Sequence, residues 1–181
     1  QRTLINLIFS NKNVVASAPT SFGKSLIIEE IIASRKWKNI VIIQPTLALL
    51  DETRRKIQKY TTDYKLIVRT SQTSSLEKGN IYLFTAERVN EYDFPIRVDF
   101  LIIDEFYKLS GSRDDERSSS LNNAFYKLYW KFKPQFYLLG PNIDGVSNGF
   151  LEYYNAIFYH SDCSLVDSRV IDIYRDYPDQ I

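Results

Sequence analysis

Two places in the chain carry residue types suited to phosphoryl chemistry. The first is VVASAPTSFGKSLIIEEII, Val14–Ile32. An apolar run ends at Ala18, a turn follows, and Lys24 and Ser25 open a helical pattern. Phosphate oxygens are held where backbone N–H groups converge at the start of a helix. Gly23 supplies the conformational freedom the turn needs. At the G-K-S spacing, Lys24 would reach the β- and γ-phosphates and the Ser25 hydroxyl would hold Mg²⁺. The first glycine of the usual G-x-x-x-x-G-K-[ST] pattern is replaced by Ala18, and Phe22 sits in the turn. The competing reading is a strand–turn–helix junction that happens to contain these residues.

The second place is FLIIDEFYKL, Phe100–Leu109. An apolar strand pattern ends in adjacent acids, Asp104 and Glu105. Phosphoryl transfer needs a carboxylate in the metal shell and a group that orients the attacking water. Asp104 suits the first task and Glu105 the second. Alone, such a pair is as often a solvated acidic turn. Beside a phosphate loop it is far more specific.

These residues need a scaffold that brings two strand tips together. Apolar, β-branched runs are expected as strands at Asn13–Ala18, Asn39–Gln44, Lys65–Arg69, Asn80–Phe84, Phe100–Asp104 and Gln135–Leu139. Several are apolar throughout, as in strands covered on both faces. Helical patterns fall between them at Lys24–Lys36, Leu47–Tyr60, Ala86–Glu91 and Leu121–Lys131. The alternation predicts an α/β fold: three layers around a doubly wound, mostly parallel sheet. Ligands in such sheets bind beyond the carboxyl ends of the strands. The polar stretch Ser110–Ser120 reads as a solvated loop leading into a helix, and Leu165–Tyr174 as a final strand leaving the domain.

Bulk properties narrow the classes. The chain has 181 residues, 44% hydrophobic and 14% aromatic, which suits one domain over 1–181 with a real core. With 23 Lys+Arg against 22 Asp+Glu, the formal charge is +1, so any nucleic-acid signal must be local. One cysteine, Cys163, and one histidine, His160, exclude a disulfide framework or a Cys/His zinc site within the chain. This suits a cytoplasmic setting. No apolar run approaches the ~20 residues of a membrane span. There is no methionine and the chain opens at Gln1, already inside a helical pattern. We expect a piece of a longer protein, with a processed mature chain as the alternative.

The motifs resemble superfamily 2 helicases, the DEAD/DEAH-box group. A-P-T-x-x-G-K-S, Ala18–Ser25, is similar to their motif I. D-E-F-Y, Asp104–Tyr107, is similar to motif II, with Tyr107 where relatives carry Asp or His. The resemblance implies a RecA-like P-loop NTPase domain that binds ATP with Mg²⁺. Its nucleotide set here is Gln1, Thr20, Ser21, Phe22, Gly23, Lys24, Ser25 and Leu26. Gln1 stands at the distance of the Q-motif glutamine, whose carboxamide can both accept from and donate to adenine. A solvent-exposed terminal glutamine is the other reading.

Further motifs imply contact with single-stranded DNA or RNA. IIQPTLALLDETRRKI resembles motif Ia, giving Pro45 and Thr46, with Thr46 also an ordinary N-cap. LFTAERV resembles T-P-E-[KR], giving Thr85 and Arg88. A cation in a first helical turn opposes the macrodipole, which favours a phosphate role for Arg88. Relatives carry a glycine pair in the region of Arg69–Gly79, and this chain does not. Motif III departs most: relatives read Ser-Ala-Thr where this chain has Gly140-Pro141-Asn142. A Tyr107–Asn142 hydrogen bond is expected in place of the usual contact between motifs II and III. The spacing is closest to the branch of archaeal repair helicases and exosome-associated RNA helicases.

Other residues invite blander readings. His160 and Cys163 lack an orienting third group. Tyr126, Tyr129 and Trp130 fall at helical spacing and are expected in the core or a domain interface. Arg113 and Arg117 are expected on a solvated loop. Three functions remain open: the first motor domain of a helicase or translocase, partnered by a second RecA-like domain of the same protein; an ATP-sensing nucleic-acid-binding switch without unwinding; and a small-molecule kinase, for which neither acceptor pocket nor lid is visible.

Overall fold

The computed structural model describes residues 2–19, 22–106, 116–141 and 143–161. Gln1, Thr20, Ser21, Tyr107, Arg113, Asn142 and Cys163 lie outside the described residues, as does the expected Leu165–Tyr174 strand.

Among the described residues seven strands form one sheet: β1 (Asn13–Ser17), β2 (Asn39–Ile43), β3 (Tyr64–Ile67), β4 (Gly79–Phe84), β5 (Phe100–Asp104), β6 (Gln135–Gly140) and β7 (Ala156–His160). Their order is β3-β4-β2-β5-β6-β1-β7, and every pairing is parallel. Among the described residues six α-helices accompany them: α1 (Arg2–Phe9), α2 (Lys24–Ala33), α3 (Leu47–Ile57), α4 (Ala86–Glu91), α5 (Glu116–Phe132) and α6 (Asn148–Tyr153).

The apolar strands are explained by two cores, one on each face. Along β2, Ile40 and Ile42 join the cluster formed with α1, α2 and α3. Val41 and Ile43 join the cluster formed with α4 and α5. Alternate side chains point to opposite faces, so both sets must be apolar when both faces are covered. Strand order reverses around β5–β6–β1, and this places the tips of β1 and β5 on either side of β6.

The structure differs from the sequence reading in four places. β7 pairs with β1 as an extra edge strand. Its half-exposed aromatic residues show neither alternation nor a continuous buried run. The short α6 precedes it, capped by Ser147, whose hydroxyl accepts from Phe150 N. Ser110–Ser120 is not all loop: α5 begins at Glu116. Its Ser120 is held by Asn90, whose Nδ2 donates to the Ser120 carbonyl and hydroxyl. Of the aromatic trio on α5, Tyr129 packs against Phe125, Phe136 and Tyr154. Tyr126 and Trp130 are exposed, and the described residues leave them outside the core.

Candidate nucleotide site and neighbouring cationic face

β1 ends at Ser17, and Ala18 N–H still donates to the Gly140 carbonyl of β6. The chain then turns. Phe22 is buried in the α1–α3 core, with its ring 6.4 Å from Tyr159 of β7. The ring therefore packs within this domain. Its N–H donates to the Pro19 carbonyl at 3.0 Å. Gly23 follows at φ 81°, in the left-handed region, with no side chain to cap α2. A Cβ is strained there. Leu26 N–H turns back to the Gly23 carbonyl at 3.0 Å, and its side chain is exposed. The first amides of the helix are thus presented at the mouth of a cleft.

That cleft is about 350 Å³ and is lined by Gly23, Lys24, Ser25, Asp104, Glu105 and Pro141, among others. It brings together the two regions marked in the sequence. Glu105 has φ 58°, uncommon for a residue with a Cβ. The kink follows directly from β5, and Glu105 N–H donates to Asp104 Oδ1 at 3.0 Å. A strained conformation at such a place is typical of functional sites and costs about 1–3 kcal/mol. Burial lowers the Lys24 pKa, while Asp104 and Glu105 pull it back up. Burial likewise raises Asp104, opposed by Lys24, by a hydrogen bond from Gln44 and by Glu105 N–H. Both charges are thus disfavoured by desolvation and supported by each other.

Gln44 is the residue that sequence reasoning missed. It follows β2 and is buried. Its Oε1 is a buried acceptor without a hydrogen-bond partner, the one such side-chain atom among the described residues. Leaving an acceptor unmet costs about 1–3 kcal/mol. Its signal in the sequence is a lone amide closing the apolar run NIVII. A hydrated cation in the shell of Asp104 would bring water donors to this spot, so Mg²⁺ fits the residues present. No three His, Cys, Asp or Glu side chains converge among the described residues. Mg²⁺ characteristically takes one or two carboxylates and completes its shell with water and phosphate, which agrees with that sparse set.

Gln44 also lines a second cleft of about 250 Å³, with Pro45, Thr85 and Asp104. Thr46 caps α3, its Oγ1 accepting from Leu49 N at 3.3 Å. Thr85 stands at the start of α4 and makes no such capping bond. Arg88 Nη1 donates to the Val68 carbonyl at 2.9 Å, reaching the end of β3. Arg88 shares a third cleft, of about 140 Å³, with Arg54 and Arg69. The four residues expected to touch nucleic acid therefore lie on the β2–β4 side of the strand tips. Gly140-Pro141 closes the other side, where Ile143 N–H donates to Ser17 Oγ at 2.9 Å. His160 ends β7.

An all-parallel α/β sheet with a glycine-turned phosphate loop and an acidic pair on the strand tips either side of β6 defines a P-loop NTPase domain of RecA-like form. The chain belongs to the DEAD/DEAH box helicase family, whose model matches residues 1–139. It is 43% identical over 152 residues to Anti-bacteriophage protein B of Escherichia coli (strain K12), covering 79% of this chain and 21% of that protein. The chain therefore spans about one fifth of that relative. Its fold is similar to the crystal structure of the Pyrococcus furiosus Hef helicase domain, with a TM-score of 0.54 and 14% identity, over 88% of this chain and 38% of that one. The family is one of ATP-dependent nucleic-acid motors, whose domains bind ATP, generally with Mg²⁺. Among the described residues no helix is long and apolar enough to cross a membrane.

Proposed function

We propose that this chain is the first motor domain of a helicase or translocase that couples Mg-ATP hydrolysis to single-stranded nucleic acid. The observation that carries the reading is the convergence of Lys24, Ser25, Asp104 and Glu105 on one cleft. Lys24 and the first amides of α2 would hold the phosphates. Ser25 and Asp104 would hold Mg²⁺, which when bound spreads the charge developing on the phosphoryl group. Gln44 would fix the Asp104 carboxylate. Glu105 would orient the attacking water and take its proton. Gln1, Thr20, Ser21, Phe22, Gly23 and Leu26 complete the nucleotide set, with Gln1 on the adenine.

Pro45, Thr46, Thr85 and Arg88 would grip the nucleic-acid backbone across the strand tips. The whole of 1–181 is read as one domain, and a second RecA-like domain of the same protein would close over the ATP. An arginine supplied that way is worth about 10³–10⁵ in rate in related nucleotide hydrolases. The isolated chain should accordingly bind ATP weakly and turn it over very slowly. Similarity to an anti-bacteriophage protein supports a place for the complete motor in defence against phage.

A second reading is an ATP-sensing switch that grips nucleic acid without unwinding. It is favoured by the stretch that begins at the end of β6, where the sequence has Gly140-Pro141-Asn142 in place of Ser-Ala-Thr and Ile143 is tied to β1. Strand displacement by the complete protein decides between the two. Displacement lost in Lys24→Ala supports the motor; ATP binding and nucleic-acid grip without displacement support the switch.

A further inference from the structure

Beside the edge strand β3 lies a groove of about 510 Å³, larger than the nucleotide cleft. Three cations reach it from three separate elements: Arg54 from α3, Lys65 from β3 and Lys78 from the loop before β4. No carboxylate lines it. Arg54 and Lys65 make no ion pair among the described residues. Lys78 Nζ donates to the Thr61 carbonyl at 3.2 Å, and an ammonium has two further donors. Gln58 and Thr61 add neutral hydrogen-bonding groups to the wall. In a chain of formal charge +1 this is a local concentration of positive charge.

The groove is not isolated. It shares Arg54 and Val68 with the cleft that holds Arg69 and Arg88. The one acid of that cleft, Asp51, is already hydrogen-bonded to Arg55 at 2.6 Å. A continuous cationic lane therefore runs from the strand tips at Arg88, past Arg69 and Arg54, down β3 to Lys65 and Lys78. A lysine on an edge strand is a common guard against unwanted strand pairing, and Lys65 alone could be that. Convergence of Arg54 and Lys78 from other elements onto the same groove serves no such guard. It suits a polyanion, whose phosphates are met singly by flexible cations.

We propose that the backbone of a single-stranded nucleic acid, after crossing the strand tips, continues along this β3 groove and is held there by Arg54, Lys65 and Lys78. The inference rests on the reading of the chain as a nucleic-acid motor and adds a second stretch of contact to it. The chemistry is phosphate recognition, common to DNA and RNA.

The test uses the complete protein with single-stranded oligo-dT and oligo-U, each in a short and a long form, titrated over a range of salt. In the triple variant Arg54→Ala, Lys65→Ala, Lys78→Ala, affinity for the long strands should fall on the order of tenfold or more. The slope of log affinity against log salt should shrink by about 2, at roughly 0.7 per lost single-strand phosphate contact. The short strands, held at the tips, should bind as before, and so should ATP. The charge-keeping triple Arg54→Lys, Lys65→Arg, Lys78→Arg should retain long-strand affinity, which separates lost charge from lost folding. Whichever polymer shows the effect is the source of the phosphates. An unchanged affinity and slope for the long strands of both polymers would overturn the groove, including the case in which it serves an acidic polypeptide. If Thr46→Ala or Arg88→Ala weakens binding in that same experiment, the motor reading survives. Failure of the unaltered protein to bind either polymer would overturn both.

Discussion

Two strand–turn–helix junctions stand at the strand tips of this sheet, with β5 and β6 between them, and are finished differently. At β2–α3, Thr46 closes the helix with its own hydroxyl, accepting from Leu49 N. At β1–α2, the residue in the corresponding place is Gly23, left-handed and without a cap. Below the second turn an aromatic ring is sunk in the core, Phe22, whereas Leu47 above the first is exposed. The difference separates a helix stabilised by itself from a helix start held open and anchored from beneath. An open helix start is what a phosphate can use. The anchored loop is also the one that faces a half-buried, charge-compensated cleft.

Substitutions can break or sharpen this contrast. The largest effect is expected in the chemistry that depends on the open junction. Lys24→Ala in the complete protein should lower ATP turnover by about 10²–10³ or more, as loss of a preorganised charge at a reacting centre does, while thermal unfolding stays near that of the parent. Phe22→Ala should destabilise by about 3–5 kcal/mol through the cavity left in the α1–α3 core, readable by denaturant titration; an unchanged midpoint would sink the anchor. Gly23→Ala should cost about 1–2 kcal/mol for a left-handed Cβ and weaken nucleotide binding as well, measured with a fluorescent ATP analogue. Thr46→Ala should cost about 1 kcal/mol as a lost cap and leave nucleotide affinity alone, so an equal loss of nucleotide affinity at both junctions would erase the contrast. Leu26→Gln, at a side chain 57% exposed, should change stability by no more than about 0.5 kcal/mol.

Much of this was legible in the residues. Six strands were marked by runs such as NIVII and FLIID, because a strand buried on both faces has no polar side to confuse its signal. α3 and α4 begin where Thr46 and Thr85 announce them. The meeting of Lys24 with Asp104 across some eighty residues followed from the topology of doubly wound sheets rather than from either motif alone. What escaped did so for physical reasons. β7 is a half-exposed edge, so its aromatic residues carry no clean period. α5 starts amid serines that read as loop, because first-turn serines serve caps and turns alike. Gln44 is a single amide whose meaning lies in its burial beside Asp104. The β3 groove draws its cations from three elements, and no linear pattern joins Arg54, Lys65 and Lys78.

The site also shows where stability yields to function. Lys24 and Asp104 are both moved by burial toward their neutral forms. Glu105 holds a left-handed backbone, and Gln44 leaves an oxygen unmet. A domain free of duty would relax all three. Their clustering on one cleft is the physical mark of a place shaped for a ligand.

The central claim is that this cleft hydrolyses ATP through Glu105. The most direct measurement compares ATP binding and ATP turnover in the complete protein and in Glu105→Gln, with single-stranded nucleic acid present. The account predicts that Glu105→Gln still binds ATP with Mg²⁺ and loses turnover by about 10²-fold or more. Turnover equal to that of the parent would contradict it.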